Sequence, residues 1–242
     1  MKYSFKQVID SYPRNHQESF VTRYFCRPIS FVLAYLLANI GCSAWLISVL
    51  SVFVAVLSCT FLCFSYWFRW VGIILAFVWL IMDCVDGNIA RTTKSYSAMG
   101  DYIDAQSGYT IMAFIYLAIG IAAYHTTEIF ADNAVLFIII GAVSSISNIL
   151  ARLLNAKYSY CEIEKKIKNK EEVTFVSYDE PETGFQKLRV WCDFNLGMIG
   201  LFMPFMIVAQ ITNTFDLLTI FYCLYSVAGL VVASAYYAYK AK

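Results

Sequence analysis

Four aspartates lie within a 22-residue stretch of a largely apolar chain: Asp83, Asp86, Asp101 and Asp104. An ionised carboxylate in hydrocarbon is costly, so carboxylates inside apolar segments indicate a functional site by default. Residues three apart on a helix share one face, so each of the two pairs presents its carboxyl groups together. Two such helices facing each other can bind a hard divalent cation through oxygen ligands, as Mg²⁺ and Mn²⁺ prefer.

The composition is typical of a membrane protein. Of the 242 residues, 60% are hydrophobic and 14% are charged, with a mean hydropathy of +0.61, whereas about a quarter of the residues in a soluble domain are charged. The net charge is +1, and the sequence has no basic stripe that would favour nucleic acid as a partner. The two histidines, His16 and His125, and the lack of a C-x2-C pair argue against a zinc site.

The chain resembles the CDP-alcohol phosphotransferase family in the signature Asp83-x2-Asp86-Gly87-x2-Ala90-Arg91-x8-Gly100-x3-Asp104. The resemblance implies an integral membrane enzyme that moves a phosphoalcohol or phosphatidyl group from a CDP-linked donor to an alcohol acceptor and releases CMP. It also implies Mg²⁺ or Mn²⁺ as the cofactor, membrane lipids among the partners, and a possible homodimer. No nucleic-acid partner is implied.

The resemblance assigns roles to individual residues. The expected metal ligands are Asp83, Asp86 and Asp104. The expected contacts of the CDP moiety are Asp83, Gly87, Ala90, Arg91 and Gly100. Other roles stay open for some of them, because small residues also serve close helix packing and an arginine at the end of a span also acts as an anchor. The acids themselves could instead pair with Arg91 for packing alone.

One position departs from the family pattern. The family carries a fourth aspartate four residues after the third, as a second-metal ligand and the base for the acceptor hydroxyl, and this chain has Gly108 there. Three interpretations compete. Asp101, on the same helix face as Asp104, substitutes as the base; Asp104 or a water takes the proton, with a single metal; or the protein is catalytically impaired.

The apolar segments predict an all-α fold, a polytopic membrane helix bundle with six transmembrane helices preceded by an interfacial N-terminal helix. Residues 1–27 are expected to form a cytoplasmic segment ahead of a membrane domain at 28–242. The interfacial helix is expected at about 29–40, too short to cross a hydrocarbon core of about 30 Å. The six spans are expected at about 43–66, 70–91, 98–124, 133–154, 190–211 and 215–239.

The cations predict the orientation. With six spans, nearly all Lys and Arg residues fall on the side of the two termini, which the positive-inside rule makes the cytoplasm. The aspartates therefore face the cytoplasm, as does a polar loop expected at 155–189, in which 162–172 could form a surface helix. Alternatively, residues 28–64 form a hairpin of two short spans, which places the N-terminus on the opposite side.

A second group of cations lies around the expected loop. Arg152, Lys187 and Arg189 are candidates for binding an acidic acceptor or headgroup, although interfacial anchoring is the favoured explanation for them.

The leading functional hypothesis is a CDP-alcohol phosphotransferase that acts in phospholipid or surface-glycan and surface-lipid biosynthesis. A second hypothesis is an impaired relative that binds nucleotide or metal without turnover. A third is a cation or solute transporter, which predicts carboxylates spread through the membrane and an inverted repeat. The sequence has instead one acidic cluster at one end of two spans.

Overall fold

The computed structural model describes residues 2–13, 18–128, 131–170 and 184–240, and within them every regular element is helical. In chain order the α-helices are α1 (Phe5–Asp10), α2 (Arg27–Asn39), α3 (Ala44–Leu62), α4 (Tyr66–Thr93), α5 (Ala98–Thr126), α6 (Val135–Lys168), α7 (Gly184–Asn195), α8 (Phe202–Thr212) and α9 (Phe215–Lys240). A π-helix, Thr22–Cys26, runs into α2, and a 3₁₀ turn, Ala131–Asn133, precedes α6. The predicted all-α class is confirmed.

Among the described residues, five helices are long and apolar enough to cross a membrane: α3, α4, α5, α6 and α9. The shorter apolar helix α8 brings the total to about six, so the chain is an integral membrane protein of the predicted class. α2 has 13 residues and a length of about 20 Å, too short for a span. α3 has 19 residues, which favours an interfacial helix followed by one span over a hairpin of two short spans.

One predicted span is not a single helix. The segment predicted to cross the membrane at 190–211 is divided between the end of α7 and α8, with a turn at 196–201. Two glycines permit this turn, because a Cβ on Gly197 or Gly200 would collide with backbone carbonyl oxygens of α7. Pro204 lies in the first turn of α8, where proline interrupts no hydrogen bond within the helix.

The polar stretch predicted as a loop, 155–189, is largely helical where the structure describes it. α6 continues through it to Lys168 and α7 occupies its C-terminal end, so neither end is irregular. An ion pair of 2.7 Å between Glu164 and Lys168 supports the last turns of α6. Residues 171–183, which include the end of the predicted surface helix at 162–172, lie outside the described residues.

The chain forms two compact units. The first consists of Met1–Ile111 with Pro181–Asn213, and the second of Met112–Glu180 with Thr214–Lys242. All four aspartates of the acidic cluster belong to the first unit.

The N-terminal residues, predicted to precede the membrane domain, pack into the first unit. Val8 of α1 is fully buried in an apolar cluster with residues of α2, α3 and α4: Ala34, Ala38, Ile47, Val85 and Ile89. The backbone of Tyr3 exchanges hydrogen bonds of 3.0 and 3.1 Å with the side-chain amide of Asn39. The hydroxyl of Ser19 donates to the carbonyl oxygen of Ile199 at 2.6 Å. These contacts hold the segment against α2 and the turn before α8.

The first unit is built around α4. The hydroxyl of Ser58 on α3 donates to the carbonyl oxygen of Gly72 at 2.8 Å, and a Cβ on Gly72 would lie only 2.7 Å from the amide nitrogen of Leu62. At the start of α4, the buried Arg69 donates from Nε to Oε1 of Gln210 on α8 at 3.1 Å. The lack of a side chain at Gly72 therefore lets α3 and α4 pack closely. The buried hydrogen bond between Arg69 and Gln210 holds α4 against α8.

The second unit contains the C-terminal part of α5 together with α6 and α9. A Cβ on Gly120 of α5 would lie 2.5 Å from the carbonyl oxygen of Phe137, and one on Gly141 of α6 would lie 2.6 Å from that of Tyr116. These glycines let the backbones of α5 and α6 approach closely. α6 also contacts α9, because the hydroxyl of Ser144 donates to the carbonyl oxygen of Tyr222 at 3.1 Å.

Candidate functional site

The aspartates flank the short connection between α4 and α5. Lys94 caps the C-terminus of α4 in the left-handed conformation, with φ of 55°, a position more often occupied by glycine. The hydroxyl of Ser97 accepts a hydrogen bond from the amide of Gly100 at 3.0 Å, which caps the start of α5. The link of four residues between these helices keeps the last turns of α4 beside the first turns of α5.

The carboxyl groups of Asp83 and Asp104 lie within hydrogen-bonding distance of each other. Asp83 is half-buried and Asp104 is exposed, so the pair is accessible from outside the protein. Two carboxylates this close repel each other, and either a shared proton or a bound cation removes the repulsion. The sequence prediction that the acids of the two helices converge is met by this pair.

Asp86 is more buried than Asp83 and Asp104. It is 4% exposed, and its Oδ2 accepts a hydrogen bond from the hydroxyl of Ser48 on α3 at 2.5 Å. Its Oδ1 accepts from the amide of Gly87 at 2.6 Å. Each oxygen of an ionised carboxylate has two lone pairs, so both retain acceptor capacity beyond these bonds. Asp86 also lies within electrostatic reach of Asp83 and Asp104.

The donor chemistry of this site suits a hard divalent cation. Its candidate ligands are carboxylate oxygens, which Mg²⁺ and Mn²⁺ prefer. Within the described ranges, no three Asp, Glu, His or Cys side chains are already arranged as a complete metal site. Asp83 and Asp104 therefore fit as two ligands, and Asp86 is the candidate third, because its oxygens keep acceptor capacity beside the bonds from Ser48 and Gly87.

Arg91 lies over the glycine of the signature. A Cβ on Gly87 would lie 3.2 Å from both Nη atoms of Arg91, and Nη2 donates to Oδ1 of Asn88 at 2.9 Å. The side chain is half-buried and folds back along α4, which favours a binding role over a simple lipid anchor. Ala90 and Gly100, the other expected CDP contacts, are each half-buried at this end of the helices.

The space at Gly108 is open. A Cβ built there would meet no heavy atom of the described residues within 4 Å. Asp101, the candidate substitute base, is exposed, and its carboxylate accepts a hydrogen bond from the phenol of Tyr96 in the link. This hydrogen bond raises the pKa of Tyr96. Asp101 also lies within electrostatic reach of Asp104.

Sequence reasoning missed a row of serines on α3. Ser48 binds Asp86, and Ser51 lies 2.6 Å from the hydroxyl of Ser107 on α5. The indole of Trp79 on α4 donates to that same hydroxyl at 2.8 Å. These bonds fix three helices at the position next to Gly108. The spacing of three residues between Ser48 and Ser51 places them on one helix face, and that signal could have identified them.

Sequence reasoning also missed the contacts of Arg27 with the N-terminal part of the chain. Arg27, at the start of α2, forms an ion pair with Glu18, and its guanidinium lies 4.3 Å from the ring centroid of Tyr12. Arg91 faces the same ring at 5.4 Å. Arg27 also lies within electrostatic reach of Asp83. Nothing in the sequence around an arginine at the start of a helix indicates these long-range contacts.

The predicted acceptor-binding cations Arg152 and Lys187 lie on α6 and α7. Arg152 is exposed on α6 and donates to Oδ1 of Asn148 at 3.4 Å. Lys187 is exposed on α7, and the side chain of Arg189 lies outside the described residues. Their role in binding an acidic acceptor stays a prediction.

Comparison with known families places the acidic cluster inside a recognised domain. A model of the CDP-alcohol phosphatidyltransferase family matches residues 36–178, which is more than half of the chain. The matched region contains α3, α4 and α5, and with them every residue of the signature from Asp83 to Asp104. No curated protein matches the chain. The chain belongs to the CDP-alcohol phosphatidyltransferase family.

Proposed function

We propose that the protein transfers a phosphoalcohol or phosphatidyl group from a CDP-linked donor to an alcohol acceptor and releases CMP. The observation that carries the proposal is the pairing of Asp83 on α4 with Asp104 on α5. These acids lie at one end of two candidate membrane helices, within the region that matches the family. The products would serve phospholipid biosynthesis or the attachment of phosphoalcohols to surface glycans or lipids.

The proposed reaction exchanges one P–O bond for another. The acceptor hydroxyl oxygen attacks the phosphorus that carries the donor's alcohol, the bond from that phosphorus to the bridging oxygen breaks, and CMP leaves with the bridging oxygen. The acceptor proton passes to a nearby base. Asp104 is the proposed acceptor of this proton, because its carboxylate is exposed at the open side of the site; Asp101 is the competing candidate.

Asp83, Asp86 and Asp104 are the proposed ligands of Mg²⁺ or Mn²⁺. When bound, such a cation neutralises charge that develops on the phosphoryl oxygens during transfer. The protein's own contribution is to position the groups around it. Ser48 holds Asp86 in place, and Gly87 leaves room for a nucleotide close to the helix backbone. Arg91 supplies a planar guanidinium suited to phosphate oxygens.

The direct test is an assay of the purified protein in detergent or nanodiscs with Mg²⁺ or Mn²⁺. A panel of CDP-linked donors, each offered with candidate alcohol acceptors, is expected to release CMP in at least one combination. CDP binding is measured in parallel by calorimetry. Absence of both CDP binding and CMP release across the panel would overturn the proposal.

A second candidate is a family member that binds nucleotide and cation without turnover. Gly108 favours it, since a glycine stands where the family resemblance leads us to expect an aspartate. CDP binding without CMP release would support this candidate. Robust turnover by the protein as it stands would exclude it.

The active site is proposed to face the cytoplasm, on the strength of the distribution of Lys and Arg. The test is a single cysteine at position 95, where Ser95 is exposed in the α4–α5 link, in a variant that lacks the native cysteines. A membrane-impermeant thiol reagent is applied to intact and to opened cells, and we expect labelling only in opened cells. Labelling of intact cells would contradict it.

A further inference from the structure

Two arginines of the first unit, one in the signature and one outside it, lie within electrostatic reach of the acidic cluster. They are Arg27 and Arg91, which face one tyrosine ring, that of Tyr12, at 4.3 and 5.4 Å. Arg27 lies outside residues 36–178, where the family model matches. Two guanidinium groups held close together repel each other unless anions lie near both.

The structure supplies only part of that compensation. The side chain of Glu18 is 6% exposed and pairs with Arg27, whose side chain is 12% exposed. Arg91 shares the Oδ1 atom of Asn88 with Arg27, at 2.9 and 3.5 Å. Among the described residues, the Nε atoms of both arginines are buried without a hydrogen-bond partner. The two arginines therefore keep N–H donors without acceptors, and a single carboxylate, that of Glu18, pairs with one of the two positive charges.

The location of these arginines suits a diphosphate. Arg27 lies within electrostatic reach of Asp83, and Arg91 lies within electrostatic reach of Asp86, and both aspartates are proposed cation ligands. A donor diphosphate bound to a cation at those aspartates carries further oxygens that need cationic partners. Arginine provides paired donors that match such oxygens in geometry and charge.

We propose that Arg27 and Arg91 together bind the diphosphate of the CDP-linked donor, and that the carboxylate of Glu18 acts as a built-in counter-ion that the diphosphate displaces from Arg27. This inference rests on the proposed function, because it names a further binding residue of the same donor site. In the donor-free protein, Glu18 compensates the charge of Arg27 and keeps α2 ordered against α4. When the donor binds, its phosphate oxygens replace that carboxylate.

The decisive measurement is the affinity for CDP of a Glu18→Gln variant in the full-length protein with Mg²⁺. Loss of the competing carboxylate is expected to tighten CDP binding about tenfold, a gain that removal of a merely structural ion pair would not produce. Asp10→Asn, which removes an exposed acid of α1, is the matched control and leaves the affinity unchanged.

Arg27 itself is tested by Arg27→Gln and by Arg27→Lys, which keeps the charge but loses the forked donor geometry. Both variants are expected to weaken CDP binding, with a loss of about 10- to 100-fold for Arg27→Gln, the size of a lost hydrogen bond to a charged group. Cytidine binding should change little, because cytidine carries no phosphate. Arg23→Gln, on an exposed arginine of the preceding π-helix, controls for net charge.

The double variant Glu18→Gln with Arg27→Gln removes both partners, so neither charge is left buried alone and folding is preserved. In that background the gain from Glu18→Gln should vanish. If wild type binds CDP but Glu18→Gln fails to tighten binding, or if Arg27→Gln weakens cytidine and CDP equally, the inference fails while the proposed function stands. If wild type does not bind CDP at all, the proposed function itself has failed.

Discussion

The carboxyl groups of Asp83 and Asp104 meet across the α4–α5 connection, within hydrogen-bonding distance of each other. Asp83 sits ten residues before the end of α4 and Asp104 two turns into α5, so the short link between the helices is what brings them together. Among the charged groups around Asp83, Asp104 acts on it more strongly than Arg27 does. The arrangement is therefore better suited to a divalent cation than to an internal ion pair.

Neutralising either acid of this pair should abolish most of the activity. Asp83→Asn and Asp104→Asn each keep the side-chain volume but remove a charge that a cation ligand needs. We expect CMP release to fall by at least about 100-fold, in line with the loss of one preorganised electrostatic group. The measurement is initial rate at saturating donor over a range of Mg²⁺ or Mn²⁺ concentrations.

Asp132→Asn, an exposed acid in the 3₁₀ turn of the second unit, is the control and should keep the wild-type rate. Wild-type rates in Asp83→Asn would mean that the acidic pair has no catalytic role.

Restoring a carboxylate at Gly108 should raise turnover. Gly108→Asp places an acid one turn after Asp104 on the same face of α5, where a new Cβ meets nothing within 4 Å among the described residues. Because a positioned base typically contributes about 10²- to 10⁴-fold, we expect kcat to rise at least about tenfold. CMP release at saturating donor and acceptor measures it.

Gly108→Asn is the matched control, with nearly the same size and no charge, and should give no gain. If Gly108→Asp leaves a robust wild-type rate unchanged, the protein already has its base, and the interpretation as an impaired relative is wrong.

Much of the fold follows from local sequence patterns. The helices α3, α4, α5 and α9 are predicted within a few residues of their ends, because each contains an apolar run of about the length that a bilayer core requires. The divided helix at 196–201 could not be predicted in this way. Hydropathy does not register that Gly197 and Gly200 let the backbone turn back against α7.

The site shows the same division between local and long-range information. The spacing of Asp83, Asp86 and Asp104 predicts that these acids lie near one another, and the structure brings two of them into contact. The contacts of Arg27 with Glu18 and Tyr12 depend instead on how residues 2–13 and 18–26 pack against α2 and α4. No periodicity within that segment encodes such a path, so its arginine reads as an ordinary interfacial cation.

Removing the hydroxyl that holds Asp86 should impair the site without breaking the fold. Ser48→Ala leaves Oδ2 of Asp86 without the donor that binds it at 2.5 Å, and hydrogen bonds to charged groups are worth about 1.5–3 kcal/mol. We expect about a tenfold fall in CMP release, together with a higher concentration of Mg²⁺ needed for half-maximal rate. Metal titrations of the rate provide the measurement.

Thr60→Ala is the control on the same helix, since its exposed hydroxyl donates to the carbonyl oxygen of Val56 one turn earlier. It should leave both quantities unchanged. An unaltered Mg²⁺ dependence in Ser48→Ala would show that Asp86 needs no support from α3.

The second unit offers a test of stability that is independent of the chemistry. In Gly120→Ala the new methyl group would lie 2.5 Å from the carbonyl oxygen of Phe137, so α5 and α6 must move apart. Overpacking of this kind costs about 1–3 kcal/mol, which corresponds to a fall in Tm of roughly 2–12 °C for a chain of this size.

Gly229→Ala on α9 is the matched control, because its methyl group would meet nothing within 4 Å among the described residues. Its Tm in the same detergent should equal or slightly exceed that of wild type, since alanine favours a helix more than glycine does. Equal Tm values for the two variants would contradict the close approach of α5 and α6.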